Sequence, residues 1–131
     1  MILFLALNLQ PQMKKTLVIG ASEKPERYAY KATNMLKEYH HEVVAYGNRK
    51  GQIEGTPIST EWPTSKNFDT VTLYINAGIQ ADFEQKIMDL QPKRVVFNPG
   101  TENPSFEAKL TAAGIEPVEA CTLVMLRTGQ Y

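Results

Sequence analysis

Short apolar segments alternate along this chain with longer segments whose apolar residues recur at every third or fourth position. The short segments are rich in β-branched residues and are bounded by charged or turn-forming residues, a pattern typical of strands that are buried on both faces of a sheet. This pattern predicts strands over residues 16–19, 42–46, 68–75, 94–97 and 115–119.

The longer segments predict amphipathic helices, because their apolar residues fall on one face of a helical repeat. The first helix carries its apolar residues at Tyr28, Ala32, Met35, Leu36 and Tyr39, and we expect it to end near His40. Further helices are predicted over residues 79–90, 104–113 and 122–126. The segment GNRKGQIEG, residues 47–55, is predicted to form turns.

Strands that alternate with helices of this length form parallel sheets whose two faces are covered by helices. We therefore expect an α/β fold, a three-layer, doubly wound parallel sheet of about five strands. A length of 131 residues suits one domain. We assign residues 13–131 to that domain and residues 1–12 to an N-terminal extension, because KKTLVIG after Met13 resembles the usual opening of a cytosolic α/β protein.

The composition of the chain excludes some classes of binding partner and cellular location. Fourteen basic and fourteen acidic residues cancel, so the chain lacks the positive charge of a sequence-independent nucleic-acid binder. The single cysteine, Cys121, excludes an internal disulfide and suits a reducing, cytoplasmic compartment. The apolar run in residues 1–12 is too short to span a bilayer and has no positive charge before it, so we expect neither a membrane partner nor a secretory signal. The sequence leaves open whether the chain forms a homodimer.

Ligands of open α/β sheets bind outside the carboxyl ends of the strands, where the strand order reverses. The loop after the first predicted strand could hold a phosphate there. Gly20 and Ala21 would let a ligand approach the backbone, Ser22 offers a hydroxyl, Arg27 offers a charge, and the following helix begins with a positive dipole end. A plain turn with a solvated arginine is the alternative reading of the same residues.

The loop after the second strand, Gly47-Asn48-Arg49-Lys50, contains no acid. A site for NAD usually has an acid there for the ribose hydroxyls, whereas cations suit a phosphorylated ribose, which NADP and coenzyme A both carry. The next two loops add Asn76 and the segment Asn98-Pro99-Gly100-Thr101, which would line the other side of the site. Solvated or purely structural loops are the alternatives for both regions.

The other potentially reactive residues are predicted to have structural roles. Cys121 sits among apolar neighbours and is expected to pack as a small hydrophobe. His40 and His41 fall at the far end of the first helix and have no metal-ligand spacing. Trp62 is expected to pack a loop onto the domain. We therefore predict no catalytic residue and no metal site.

Taken in order, these residues resemble the small stand-alone CoA-binding domain proteins, whose Rossmann-like fold is similar to the N-terminal domain of the succinyl-CoA synthetase α subunit. The resemblance covers Lys14 to Cys121. The matching residues are Gly20, Ser22, Pro25, Arg27, Tyr30, the strand 42–44, Gly55, Asp69, Gly100, Asn103 and Cys121. The chain departs from the family where arginines often follow the third strand, since it has Ile75-Asn76, and where a glycine usually follows the first helix, since it has His40.

The resemblance implies a module that binds coenzyme A or an acyl-CoA in a nucleotide-binding crevice, without catalysis of its own, and it adds Tyr30 to the site. The diphosphate would lie over residues 20–22 and the first helix N-terminus, and Arg49 and Lys50 would neutralise the ribose phosphate. Two alternatives stay open: an enzyme that uses NADP or Cys121, and an interaction domain that has lost its ligand.

Overall fold

The computed structural model describes residues 13–131, and the predicted extension over residues 1–12 lies outside the described residues. The strands are β1 (Thr16–Ile19), β2 (Val43–Tyr46), β3 (Gly51–Ile53), β4 (Thr56–Ser59), β5 (Thr70–Leu73), β6 (Arg94–Phe97) and β7 (Glu116–Glu119). The helices are α1 (Tyr28–Glu38), α2 (Ala77–Gln80), α3 (Glu84–Leu90), α4 (Pro104–Ala112) and α5 (Thr122–Arg127). None of the described helices is long and apolar enough to cross a membrane.

The strands form one seven-stranded sheet in the order β3-β4-β2-β1-β5-β6-β7. Every neighbouring pair is parallel except β3 and β4, which form an antiparallel hairpin at one edge. From β1 the chain builds outward through β2 and β4, and it then crosses back to add β5, β6 and β7 on the other side of β1. The strand order therefore reverses between β1 and β5, and the predicted doubly wound α/β fold is confirmed.

Successive side chains of the strands point to opposite faces of the sheet and pack into two separate apolar layers. Leu17 and Ile19 of β1 pack with residues of α3 and α4 on one face of the sheet. Val18, between them, packs on the opposite face with α1 and with Leu126 of α5. Because all three side chains are within 1 % of complete burial, β1 is covered on both faces, as its continuous apolar run predicted.

The predicted turn-rich segment contains β3 and leads into β4, and the sequence did not reveal the hairpin that these two strands form. Its connection is Glu54-Gly55, and both residues have positive φ, 43° and 89°. Positive φ at both central residues is what a two-residue hairpin of the type I′ class requires. The two strands are short and bury only Ile53 and Ile58, so too few apolar positions alternate to signal strands.

The buried stripe of α1 differs by one position from the predicted one. The helix buries Ala29, Ala32, Thr33 and Leu36, whereas Tyr28 is 66 % exposed. Small side chains let the helix approach the sheet closely, and tyrosines are favoured where one end of the ring can stay in water. The helix ends before His40, whose φ of 69° lies in the left-handed region that glycine adopts most readily.

The helix predicted over residues 79–90 is broken into α2 and α3. Gln80 at the end of α2 is buried, whereas Ile79 beside it is 49 % exposed. The apolar spacing of Ile79, Phe83 and Ile87 therefore does not reflect one continuous buried face. The break matters for the site, because it turns Ile79 and Phe83 towards the carboxyl ends of the central strands.

Candidate functional site

A crevice of about 800 Å³ opens at the carboxyl ends of the central strands, in the size range typical of small-molecule sites. Four loops line it: the β1–α1 loop, the β2–β3 loop, the β5–α2 loop and the β6–α4 loop. Gly20 and Arg49, from the first two loops, line the same cavity. The crevice therefore lies at the switch point between β1 and β5, where the fold favours a ligand site.

The free amides of the β1–α1 loop are those of Ser22 and Glu23, whereas the sequence suggested residues 20–22. The N–H groups of Gly20 and Ala21 both donate to the Tyr46 carbonyl at 3.0 Å. The N–H groups of Ser22 and Glu23 donate to no other group among residues 13–131. Ser22 lines the crevice, so its amide is available to an anion there, whereas the Gly20 amide is already paired.

Gly20 is required because of its backbone and its neighbours. Its φ is +96°, and an added Cβ would lie 2.8 Å from the Tyr74 carbonyl oxygen and 3.2 Å from Cγ2 of Ile75. Gly47 of the β2–β3 loop is equally confined, since its Cβ would lie 2.5 Å from the Ala21 carbonyl oxygen. The two glycines thus let the first two loops and the end of β5 close on one another, which no larger residue would allow.

The N-terminus of α1 faces the crevice without a cap. Arg27 at the N-cap position makes no side-chain capping hydrogen bond, and the first turn contains no acidic residue. The N–H groups of Tyr28 and Ala29, whose residues line the crevice, donate to no other group among the described residues. An uncapped helix N-terminus combines free donors with the positive end of the helix dipole, which makes it an anion-binding arrangement.

The charges along the crevice have one sign. Lys24, Arg27 and Arg49 line it, and no aspartate or glutamate does. None of these three cations forms an ion pair within residues 13–131. The nearby Glu23 carboxylate is turned away from the lining and accepts a hydrogen bond from the Gln52 N–H at 3.1 Å. In a chain of zero net charge, this concentration of cations is local to the crevice.

Part of the crevice lining is an apolar wall formed by Tyr46, Ile79 and Phe83. The Tyr46 and Phe83 rings lie 5.8 Å apart edge to face, and Trp62 supports both at 5.2 Å and 5.8 Å, which confirms that Trp62 packs its loop onto the domain. Aromatic pairs at these distances hold each other in place, so the wall is a fixed apolar surface.

The β5–α2 loop is shaped by Asn76 and Tyr74, which both line the crevice. The Asn76 side chain caps α2 by accepting a hydrogen bond from the Ile79 N–H at 3.0 Å. Its amide nitrogen is left for a ligand. The Tyr74 hydroxyl is buried without a hydrogen-bond partner among the described residues, and burial raises the pKa of this phenol far above its ordinary value.

The β6–α4 loop contributes Pro99, Gly100 and Thr101 to the lining. Its amide at Gly100 is already occupied, because that N–H donates to Oε1 of Glu102 at 2.9 Å. The Thr101 N–H and hydroxyl both donate to the Asn98 carbonyl, at 2.9 Å and 2.8 Å. The N–H groups with which this loop lines the crevice are therefore already paired, and the loop forms a shaped wall.

Three predicted site residues lie outside the lining. Asn98 is buried, and its side chain donates to Oγ1 of Thr72 and to the Leu73 carbonyl while accepting from the Thr122 N–H. Tyr30 packs in the layer between α1 and the sheet. Lys50 follows Arg49 but does not line the crevice. The remaining predicted residues, namely Gly20, Ala21, Ser22, Arg27, Gly47, Asn48, Arg49, Asn76, Pro99, Gly100 and Thr101, all line it.

The structure adds site residues that sequence reasoning missed. Lys24 was overlooked because one lysine in a charged loop gives no distinguishing signal. Ile79 and Phe83 have the spacing of a helix core face, so their sequence positions pointed to packing. Tyr28 was assigned to the buried side of α1 and instead lines the rim.

Potential reactive groups lie elsewhere in the described chain. Cys121 at the N-cap of α5 is partly buried and does not line the crevice. His41 accepts a hydrogen bond from the Lys14 N–H at 2.9 Å, at the amino ends of the strands. Residues 13–131 contain no group of three or more side chains suited to holding a metal ion.

A doubly wound parallel sheet with a crevice at its switch point defines a Rossmann-like α/β domain. The chain belongs to the CoA binding domain family, whose model matches residues 14–127. No curated protein matches the chain.

Solved structures share this fold. A crystal structure of an uncharacterized protein is 49 % identical, covers 92 % of this chain and 100 % of its own, and superposes with a TM-score of 0.90. A hypothetical protein from Pyrococcus horikoshii OT3 is 22 % identical, with 93 % and 87 % covered and a TM-score of 0.80. A Thermus thermophilus protein, cell-free ID.343, is 21 % identical, with 90 % and 91 % covered and a TM-score of 0.77. The last two support the fold alone.

Proposed function

We propose that this protein binds coenzyme A or an acyl-CoA in the crevice between β1 and β5. The observation that carries the proposal is an uncapped helix N-terminus in a crevice lined by three cations, which form no ion pair among residues 13–131, and by no carboxylate of those residues. Such a surface selects an anion with more than one phosphate group. Family membership supports coenzyme A as that anion.

Each part of coenzyme A has a matching region in this proposal. The diphosphate lies on the free amides of Ser22, Glu23 and the first turn of α1, and Arg49 neutralises the phosphate on the ribose. The adenine packs on the apolar wall of Tyr46, Ile79 and Phe83, because a flat aromatic base favours such a surface. The pantetheine arm then runs along the β6–α4 loop.

We infer binding without turnover from the positions of the reactive groups. A general acid or base must lie within hydrogen-bond reach of the group it serves. Cys121 does not line the crevice, and His41 lies at the opposite ends of the strands. The crevice lining itself supplies amides, cations, phenols and apolar side chains, which bind and orient a ligand.

Isothermal titration of the purified chain with coenzyme A, acetyl-CoA, dephospho-CoA and NADPH tests the proposal. Coenzyme A and acetyl-CoA should bind with similar affinity, and dephospho-CoA should bind about tenfold more weakly because it lacks the ribose phosphate. No heat with coenzyme A at about millimolar concentration would contradict the proposal. Tighter binding of NADPH than of coenzyme A would assign the crevice to the dinucleotide instead.

A further inference from the structure

Gln80 is the one buried residue of α2, and it is 0 % exposed. Glutamine is rarely buried completely, because its amide must then find partners inside the protein. Here every polar atom of the side chain has one. This degree of satisfaction, in a helix of only four residues beside the crevice, indicates a specific structural task.

Both N–H donors of the Gln80 amide reach backbone carbonyls of crevice loops. Nε2 donates to the Ile75 carbonyl at 2.9 Å and to the Thr101 carbonyl at 2.7 Å. Ile75 belongs to the loop after β5, and Thr101 belongs to the loop after β6. One side chain thus ties together two loops whose residues both line the crevice.

A second side chain fixes the orientation of this amide. Nδ2 of Asn103 donates to Oε1 of Gln80 at 2.8 Å, and Oδ1 of Asn103 accepts from the Phe106 N–H to cap α4. Two carbonyl oxygens face Nε2, and an N–H group faces Oε1. If the Gln80 amide were turned over, its oxygen would face the two carbonyl oxygens, and no hydrogen bond could form with them. The clamp is therefore anchored to α4 and has one arrangement.

We propose that Gln80 is a positioning residue for the ligand of this crevice, an inference that rests on the proposed function. It holds Ile75 and Thr101 at a fixed separation, and Ile75 in turn abuts Gly20, whose added Cβ would lie 3.2 Å from Cγ2 of Ile75. The clamp therefore sets the width of the crevice across β1, β5 and β6. Because the width is set before a ligand arrives, binding does not have to order these loops.

The variant Gln80→Glu tests this role through its pH dependence. The new carboxylate would face two carbonyl oxygens in a buried site, so it repels both and its pKa rises. At about pH 7.5 we expect coenzyme A to bind about tenfold more weakly than to the unaltered chain. At about pH 5 the protonated carboxyl again donates to one carbonyl, so the affinity difference should narrow to about threefold.

Two comparisons make the result specific. Gln85→Glu introduces the same group on the exposed surface of α3, where Gln85 donates to Asp89, and it should bind as the unaltered chain does at both pH values. Gln80→Met keeps the side-chain length without polar atoms, so it should bind weakly at both pH values. Urea unfolding of each variant confirms that the titrated protein is folded, and a variant that has unfolded at the titration temperature is titrated at a lower one.

The outcomes separate this inference from the proposed function. If the unaltered chain does not bind coenzyme A, the proposed function fails. If the unaltered chain binds and folded Gln80→Glu binds equally well at both pH values, the positioning role is overturned. If Gln80→Glu is weaker by the same factor at both pH values while folded Gln80→Met binds as the unaltered chain does, the loss does not come from the lost donors, and the inference is equally overturned.

Discussion

The two ends of the sheet differ in whether their positively charged side chains form ion pairs. At the amino ends of the strands the cations have partners: Lys15 lies 3.8 Å from Glu42, and Lys93 and Arg94 lie 3.9 Å and 4.0 Å from Asp69. At the carboxyl ends, the three cations of the crevice form no ion pair within residues 13–131.

Polar groups follow the same division. At the amino ends, Tyr131 contacts the first residues of two strands. Its hydroxyl lies 2.6 Å from Oγ1 of Thr16, and the centre of its ring lies 4.3 Å from the Arg94 guanidinium. At the carboxyl ends, the first amides of α1 are left without partners among the described residues. The amino ends pair their charges inside the protein, apart from Nη2 of Arg94, which is buried without a partner among the described residues. The carboxyl ends keep donors and charges available for a ligand.

The largest effect is expected from Gly20→Ala at the carboxyl end. The substitution combines a φ of +96° with a Cβ 2.8 Å from the Tyr74 carbonyl oxygen. We expect the free energy of unfolding to fall by about 3 kcal/mol and coenzyme A binding to be lost, as measured by urea unfolding and calorimetry.

Gly114→Ala is the matched control at the other end. Gly114 has a φ of +79°, and its added Cβ would meet no atom within 4 Å. It should cost about 1 kcal/mol, from backbone strain alone, and leave the affinity for coenzyme A unchanged. Equal losses of stability and affinity in the two variants would show that the close contact at Gly20 is unimportant.

The next effect concerns ribose phosphate recognition by Arg49. Arg49→Gln should weaken coenzyme A binding about tenfold, because a charge-assisted contact is removed, and should leave dephospho-CoA binding unchanged. Lys93→Gln, which removes a cation whose side chain is 84 % exposed at the amino end, should change neither affinity. A loss shared equally by both ligands would place Arg49 away from the ribose phosphate.

A smaller effect is expected from salt. Since the crevice cations are unpaired, raising the ionic strength from about 0.05 M to about 0.5 M should weaken coenzyme A binding several-fold through screening. The dependence should be shallower for Arg49→Gln, which has one charge fewer to screen. Calorimetry across a salt series measures both slopes, and an affinity that does not vary with salt would argue against phosphate recognition by cations.

The smallest effect belongs to His41 at the amino end. Burial, and then the charges of Lys14 and Arg94, lower the pKa of this imidazole from its ordinary 6.5, although Asp69 opposes them. Between the folded and unfolded pKa values the unfolded chain binds more protons, so stability should decline modestly as the pH falls below about 6.5.

His41→Asn tests this origin by removing the titrating group. Its urea unfolding midpoint should vary less with pH than that of the unaltered chain, and its coenzyme A affinity at neutral pH should be unchanged. An unaltered pH dependence would mean that another group titrates in this range.

Most of the fold could be predicted from the sequence, because strands that are buried on both faces appear in it as continuous apolar runs. The predicted strand over residues 94–97 has the bounds that the structure gives β6. The β3–β4 hairpin and the break after Gln80 were not predicted, since both depend on the conformation of a few residues. Two positive φ values at residues 54–55 make the hairpin. The break after Gln80 is a turn in which the Asp82 and Phe83 N–H groups donate to carbonyls three residues back.

The site was only partly predictable. The loops that form it follow from strand order, which the alternation of elements indicates. Which amides remain free could not be predicted, since the Tyr46 carbonyl takes those of Gly20 and Ala21 and only the folded chain brings it there. Asn98 resembles a ligand-binding residue in sequence, but its hydrogen bonds lie inside the protein.

The central claim is that free amides at the start of α1 bind the diphosphate, and ¹⁵N-resolved NMR of the amides during a coenzyme A titration tests it most directly. The largest shifts should occur at Ser22, Glu23, Tyr28 and Ala29, whereas His41 at the amino end should barely move. Saturable binding that leaves those four amides unshifted would contradict the claim.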